Sequence, residues 1–402
     1  MRTPSGRRST VGAVLLCAVL TACSSHPAGP SAAPASRTSA AATSAASSAP
    51  ASSAAPTGPE AQVSAALARL DRRGQVAQLF LAGVPLTDLA SGDALVRSGV
   101  GGVFLAGRST LPATALAGTT ARWQSLAHGP RVWIATDQEG GYVQALRGPG
   151  FAPLPTALTQ GAMAPGSLTA LARGMGASLH SAGLNLDLAP VADVVPAGTE
   201  SSNAPIGRFQ RQYGSTPPVV AAAAGRVMNG LASAGVTATL KHFPGLGRVH
   251  GNTDTGPTTD TVTTAGDAQV SLFGSLAGSA DHPFVMMSSA VYARIDPSAP
   301  AAFSPVVVTQ LLRGRLGFDG VVVSDDLGDA KAVAGTPPGE RAVRFLAAGG
   351  TLVLTVAPST VPAMVDAVLA RSATDPAFAA RVDAAVHTAL LAKARAGLLR
   401  AG

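Results

Sequence analysis

Eight short β-rich runs, at 79–83, 100–106, 132–137, 184–190, 236–242, 284–288, 321–325 and 352–356, recur between stretches of helical character. Most are continuous rows of apolar residues rather than an alternation of apolar and polar ones. That pattern suits strands covered on both faces, the condition of a parallel sheet. One connection shows the alternation of elements plainly. Ser304-Pro305 supplies an N-cap followed by Pro at the first helical position. Val308, Leu311, Leu312 and Leu316 then repeat at helical spacing, Gly317 stops the helix, and Gly320 leads into Val321-Val322-Val323. Eight such units predict an α/β chain folded as a single (β/α)8 barrel of the TIM type. An open doubly wound sheet fits the same order less economically.

The barrel is expected over 60–402, because the first 59 residues have a different character. Arg2, Arg7 and Arg8 precede a short apolar run from Val11 to Leu20, too short for a permanent membrane span. The run ends in Leu20-Thr21-Ala22-Cys23, which resembles the lipobox of bacterial lipoproteins. The resemblance implies a signal peptide over 1–22 and lipidation of Cys23, with the protein anchored through that lipid alone on the outer side of the cytoplasmic membrane, in the cell envelope. From Ser24 to Pro59 the chain is almost entirely Ser, Ala, Pro, Thr and Gly, with Arg37 its only full charge. Such a segment cannot bury a core and reads as a disordered tether over 23–59.

Composition removes several alternatives. The chain carries 29 Lys+Arg against 22 Asp+Glu, but only three Lys (Lys241, Lys331, Lys393), and no basic run is interleaved with aromatics. Nucleic acid is therefore not an expected partner. Cys17 and Cys23 are the only cysteines, so the body holds neither a disulfide framework nor a thiolate metal site. No metal or organic cofactor is expected.

The ends of the runs carry the chemistry. Asp137 closes the third, Lys241-His242 the fifth and Asp325-Asp326 the seventh. In a barrel these positions gather at one face, where catalytic residues are drawn from several strands. A single Asp at such a place is more often a helix cap or a loop salt bridge. Three polar strand ends together point to a site.

Lys241-His242-Phe243-Pro244-Gly245-Leu246-Gly247 resembles the Lys-His-Phe-Pro-Gly-x-Gly motif of family-3 glycoside hydrolases, specifically bacterial β-N-acetylglucosaminidases. The resemblance runs through 60–355. It includes Gly74 to Phe80, Gly101 to Leu105, Asp137-Gln138-Glu139-Gly140-Gly141, Leu184 to Val194, and Gly317 to Leu327. It implies a retaining mechanism through a covalent glycosyl-enzyme. Asp325 matches the family nucleophile, with Asp326 the competing carboxylate. Asp137, Lys241 and His242 match residues that hold sugar hydroxyls. Arg211 matches a substrate-binding arginine if two residues are inserted, and Arg208 competes with it.

Two positions depart from the family. Ala145 stands where an arginine usually follows Val-Gln, with Arg147 two residues on. The family's acid/base histidine, in an Asp-Ser-His segment, is replaced by Asn252-Thr253-Asp254. The chemistry still requires a proton donor for the leaving oxygen and a base for water. Asp254 and His250 are the candidates on this loop; a donor elsewhere, or none, remains the other reading. The resemblance thus implies an exo-acting β-N-acetylglucosaminidase acting on β-linked N-acetylglucosamine glycans such as muropeptide fragments. Its rivals are a catalytically impaired glycan-binding lipoprotein, a related β-glucosidase and an N-acetylglucosaminide phosphorylase. An ionised Asp254 would repel phosphate, which favours hydrolysis over phosphorolysis. Substrate-assisted hexosaminidases use an adjacent Asp-Glu pair, and the chain has no such dipeptide.

Overall fold

The computed structural model describes residues 58–399. The expected signal peptide, the lipidated Cys23 and all but the end of the tether lie outside the described residues. The first helix, Pro59–Arg69, starts on Pro59 after Gly58, where proline's missing N–H costs nothing.

Eight parallel strands follow: β1 Phe80–Pro85, β2 Gly102–Ala106, β3 Trp133–Thr136, β4 Leu186–Asp187, β5 Thr237–Phe243, β6 Phe284–Met287, β7 Val322–Ser324 and β8 Val353–Thr355. Each lies within or across one of the runs read from the sequence. Neighbours in sequence are neighbours in space, β8 pairs with β1, and a parallel bridge between Val323 and Leu352 joins the last two strands. The sheet is therefore a closed barrel and not an open doubly wound one. Its strands are buried almost throughout, as continuous apolar runs require. Packing is dense at the aromatic joints. Trp133 meets Phe284 edge to face at 5.2 Å, and Phe243 meets Phe273 in the same way at 5.4 Å.

Two details differ from the simple repeat. The run at 184–190 yields only the two-residue strand β4, and pairing with β5 resumes past Pro190 as an isolated parallel bridge between Val191 and Lys241. The helix Val306–Arg315 has its expected cap, with Ser304 Oγ accepting from Val307 N at 3.1 Å. It is wound wider than an α-helix, however, and at its end Leu316 N donates to Leu311 O, five residues back, at 2.9 Å. Among the helices of the outer layer, Pro165–Ser181 and Pro217–Ala232 pack closely. A Cβ on Gly230 would stand 2.4 Å from that of Ala172, so only glycine permits this approach. Among the described residues no helix is long and apolar enough to cross a membrane.

Candidate active site

The C-terminal ends of the strands enclose a cavity of about 170 Å³. Asp137 reaches it from the end of β3, Lys241 and His242 from β5, and Asp325 from just beyond β7. Arg211 comes from the loop after β4 and Asp254 from the loop after β5. Six residues proposed from sequence thus meet around one small space.

Lys241 is the centre of one half of the site. Its side chain is buried, and Nζ lies 2.6 Å from both Asp137 Oδ1 and Glu139 Oε1. Burial opposes its charge, but the two carboxylates outweigh burial and raise its pKa. Glu139 is held in turn by a bidentate pair with Arg211, at 2.9 Å to Nε and 2.7 Å to the terminal nitrogen. Burial pushes the Glu139 carboxyl up, yet Arg211 and Lys241 prevail and hold it at about 2. The result is an ionised chain of carboxylates and cations running from Asp137 to Arg211. Arg211 also donates to Pro205 O at 2.9 Å, which fixes the loop that carries it. Arg208 points elsewhere, toward Ser201 O, and does not line the cavity.

Glu139 sits in a tight hairpin, Gln138–Gly140 against Val143–Gln144. The turn needs Gly140 and Gly141, whose φ angles are 107° and 53°. Beneath it Asp187, on β4, accepts from Gln138 N at 3.0 Å. Burial lifts the Asp187 carboxyl to about 8, so it is protonated at neutral pH. Arg147 braces the same hairpin by donating to Gln144 O and Gly141 O, and it does not occupy the cavity.

His242 is oriented by a second carboxylate. Its Nδ1 lies 2.7 Å from Asp193 Oδ2, and Asp193 Oδ1 accepts from the backbone N of His242 and of Leu246. Asp193 is fully buried, so this pairing leaves the other ring nitrogen to face the cavity.

The two carboxylates after β7 have separate fates. Asp326 accepts four backbone N–H bonds, from Gly328, Asp329, Ala330 and Val356, at 2.8–2.9 Å. It builds the loop. Asp325 receives only the N–H of Asp326, at 2.9 Å, and is half-buried in the cavity wall. Burial pushes its carboxyl up; His242 pulls it down, and Asp254 and Asp326 push it further up.

Asp254 is exposed at the cavity mouth. The loop after β5 is pinned onto the loop after β7, because Ala332 N donates to Thr253 O at 3.0 Å and Lys331 N to Asp254 O at 3.3 Å. This seam brings Asp254 over Asp325. His250 lies elsewhere on its loop, exposed, with Nδ1 3.3 Å from Ser202 O, and it is not among the residues lining the cavity. Among the described residues no cluster of His, Cys, Asp and Glu could hold a metal ion.

Reading the sequence alone does not single out Glu139, Asp187 or Asp193. Glu139 stands two residues beyond Asp137, and Asp193 three beyond Pro190. Both follow a strand end directly, and that adjacency was the available signal.

A closed barrel with one ring-sized cavity, lined by carboxylates and hydrogen-bonding cations at the C-terminal strand ends, defines a carbohydrate-active enzyme class. The chain belongs to glycosyl hydrolase family 3: residues 73–389 match that family's N-terminal domain. A Beta-hexosaminidase of Xanthomonas axonopodis pv. citri is 35% identical over 307 residues, covering 73% of this chain and 88% of that protein. Among solved structures, the Beta-N-acetylhexosaminidase of Beutenbergia cavernae is 47% identical, with a TM-score of 0.78 over 81% of this chain and 99% of that one. The M tuberculosis LpqI structure is 30% identical, with a TM-score of 0.70 over 81% and 95%.

Proposed function

We propose that this protein is a retaining, exo-acting β-N-acetylhexosaminidase that releases terminal β-linked N-acetylglucosamine. The observation that carries the reading is the division of labour after β7. Asp326 is consumed by four backbone donors, while Asp325 keeps a carboxylate face directed to the cavity. The small cavity volume suits one sugar ring, which is what an exo enzyme must seat. The names of the relatives supply the N-acetylhexosaminide specificity.

In this mechanism Asp325 attacks the anomeric carbon as the bond to the leaving oxygen breaks, and Asp254 gives that oxygen its proton. The product is a glycosyl ester on Asp325. Asp254, now ionised, takes a proton from water as the water attacks the same carbon and releases Asp325. Asp137, Lys241, His242 and Arg211 hold the ring through charge-assisted hydrogen bonds. At this second step Asp325 is an ester, and the ionised Asp254 at the mouth is what repels phosphate and favours water as acceptor.

Turnover of a chromogenic N-acetyl-β-glucosaminide by the folded body tests the reading. We expect Asp325→Asn to abolish turnover with the fold retained. Asp325→Asn keeping more than a few per cent of the rate while Asp326→Asn unfolds nothing and loses all would reassign the nucleophile. Muropeptide fragments are the natural substrates we propose, with the enzyme held outside the cytoplasmic membrane by lipid on Cys23. The Leu20-Thr21-Ala22-Cys23 sequence supports that placement. Cys23→Ala should release the protein from membranes at unchanged specific activity; continued fractionation with membranes would refute it.

A further inference from the structure

The mechanism above leaves one carboxyl of this site without a part. Asp187 ends the two-residue strand β4 and is fully buried beneath the hairpin Gln138–Gly140. Its strand is held between β3 and β5, with Asp187 in register with Thr136 and Ala238, so the sheet rather than a loop fixes its position. One carboxyl oxygen, Oδ1, accepts from Gln138 N at 3.0 Å, on the backbone between Asp137 and Glu139. The other, Oδ2, is buried with no hydrogen-bond partner among the described residues.

The charges around it explain how that oxygen can stay unpaired. The site already matches two carboxylates with two cations: Lys241 with Asp137 and Glu139, and Arg211 with Glu139. A third ionised carboxylate would have no cation of its own. An unmatched charge in a dry interior is far costlier than an unpaired neutral hydroxyl. The titratable groups facing Asp187 are Lys241 from β5, Asp137 and Glu139 from the hairpin side, and Tyr213 from the loop after β4. Burial raises the Asp187 carboxyl most strongly, Gln138 N and Lys241 lower it, and Asp137 and Glu139 raise it again, leaving it at about 8.

The two charge states would act differently on the hairpin. Neutral, Asp187 anchors the backbone between the two carboxylates that Lys241 bridges, and it does not compete for the lysine. Ionised, it would attract the Lys241 ammonium and repel Asp137, the member of the pair that lines the sugar cavity.

We propose that Asp187 is a positioning residue of this active site, a neutral carboxyl that ties down the backbone between Asp137 and Glu139 and leaves Lys241 to those two carboxylates. Its effect on turnover rests on the glycosidase reading above; the state of the carboxyl itself does not.

The test uses the dinitrophenyl N-acetyl-β-glucosaminide, whose leaving group needs no proton, so the acid step of Asp254 drops out of kcat/KM. For the parental protein kcat/KM should fall roughly tenfold per unit of pH above about 8. Asp187→Ala removes the acceptor for Gln138 N and should lower kcat/KM about tenfold at pH 7. Asp187→Asn should recover most of that loss, because its amide oxygen can still accept. Both variants lack the titrating group, so both should lack the alkaline fall. A fall that persists in either variant would overturn the proposal, and so would a parental profile that stays flat above pH 8.

A second measurement needs no substrate. The Asp187 carboxyl is raised above the ordinary aspartate value of 3.8, so between 3.8 and about 8 the folded chain binds a proton that the unfolded one has released. Stability contributed at Asp187 therefore falls as pH rises through that window. The urea midpoint of Asp187→Asn relative to the parent should climb from pH 5 to pH 8. A difference constant with pH would overturn the neutral carboxyl. A parental protein that cleaves the glycoside at no pH would overturn the glycosidase reading, and the unfolding comparison would then decide on Asp187 alone.

Discussion

Two lysines are buried to almost the same degree at opposite ends of this barrel, and they live in opposite electrostatic worlds. Lys241, 2% exposed, lies between Asp137 and Glu139 at the C-terminal end, and its pKa is raised. Lys393, 1% exposed, packs near the N-terminal end and donates to the Gln78 amide oxygen at 2.6 Å. With no carboxylate to oppose it, burial lowers the Lys393 pKa to about 7. Burial is common to both. What separates them is whether a counter-charge is built alongside, and the barrel builds counter-charges at the end where substrate arrives.

The largest effect should follow removal of the counter-charged lysine. Lys241→Met leaves Glu139 buried against Arg211 alone and takes from the half-buried Asp137 its lysine partner. Breaking a buried pair in this way costs roughly 3–5 kcal/mol, and the sugar-holding site is lost with it. We expect turnover to be undetectable and the denaturation midpoint to fall sharply. A variant with parental stability and activity would show that the cluster is not coupled through Lys241.

Lys393→Met should behave in the contrary sense, with an effect that depends on pH. The folded-state pKa of about 7 lies below the ordinary lysine value of 10.5, so between these limits the unfolded chain binds a proton that the folded one does not. The contribution of Lys393 to stability therefore rises with pH across that window. The variant's stability relative to the parent should be greatest below pH 7 and should decline by several kcal/mol as pH approaches 10.5. Urea unfolding of both proteins at pH 6 and pH 10 measures it. A difference constant with pH would mean that Lys393 titrates normally.

The smallest net effect is expected from giving Lys393 what Lys241 has. Gln78→Glu supplies a carboxylate but sacrifices the bond from Gln78 Nε2 to Gly99 O at 2.9 Å. Stability at pH 6 should change by about 1 kcal/mol or less, as gain and loss offset. The pH dependence of stability between 7 and 10 should nevertheless shrink, because the new carboxylate raises the Lys393 pKa. Persistence of the full dependence would break the comparison.

The same contrast explains what was legible in the sequence. All eight strands could be read because strands buried on both faces are written as continuous runs such as Val321-Val322-Val323. Asp137, Lys241 and Asp325 could be read because a charge directly after such a run is conspicuous. Glu139 could not be assigned its part, since its meaning lies in Arg211, 72 residues away. Asp193 was hidden for the same reason: it acts through His242, 49 residues on. The family resemblance chose Asp325 over Asp326, but the structural part of Asp326, as acceptor of four backbone N–H groups, is defined only by the folded loop. Nothing local marks Lys393 either; only the fold places it against Gln78.

The central claim is that Asp325 forms a bond to the sugar and that Asp254 serves the steps on either side. The direct measurement uses Asp254→Ala with the dinitrophenyl β-N-acetylglucosaminide, whose leaving group needs no proton. Release of dinitrophenol should show a burst of one equivalent followed by slow turnover, and azide should speed the slow phase. Acid quenching during that phase, proteolysis and mass spectrometry should then find one N-acetylglucosaminyl group on the peptide containing Asp325, at Asp325 itself. An adduct on Asp326, or a burst and azide rescue seen only in His250→Ala, would contradict the assignment of roles. Full parental turnover by Asp254→Ala on natural disaccharides would contradict it as well.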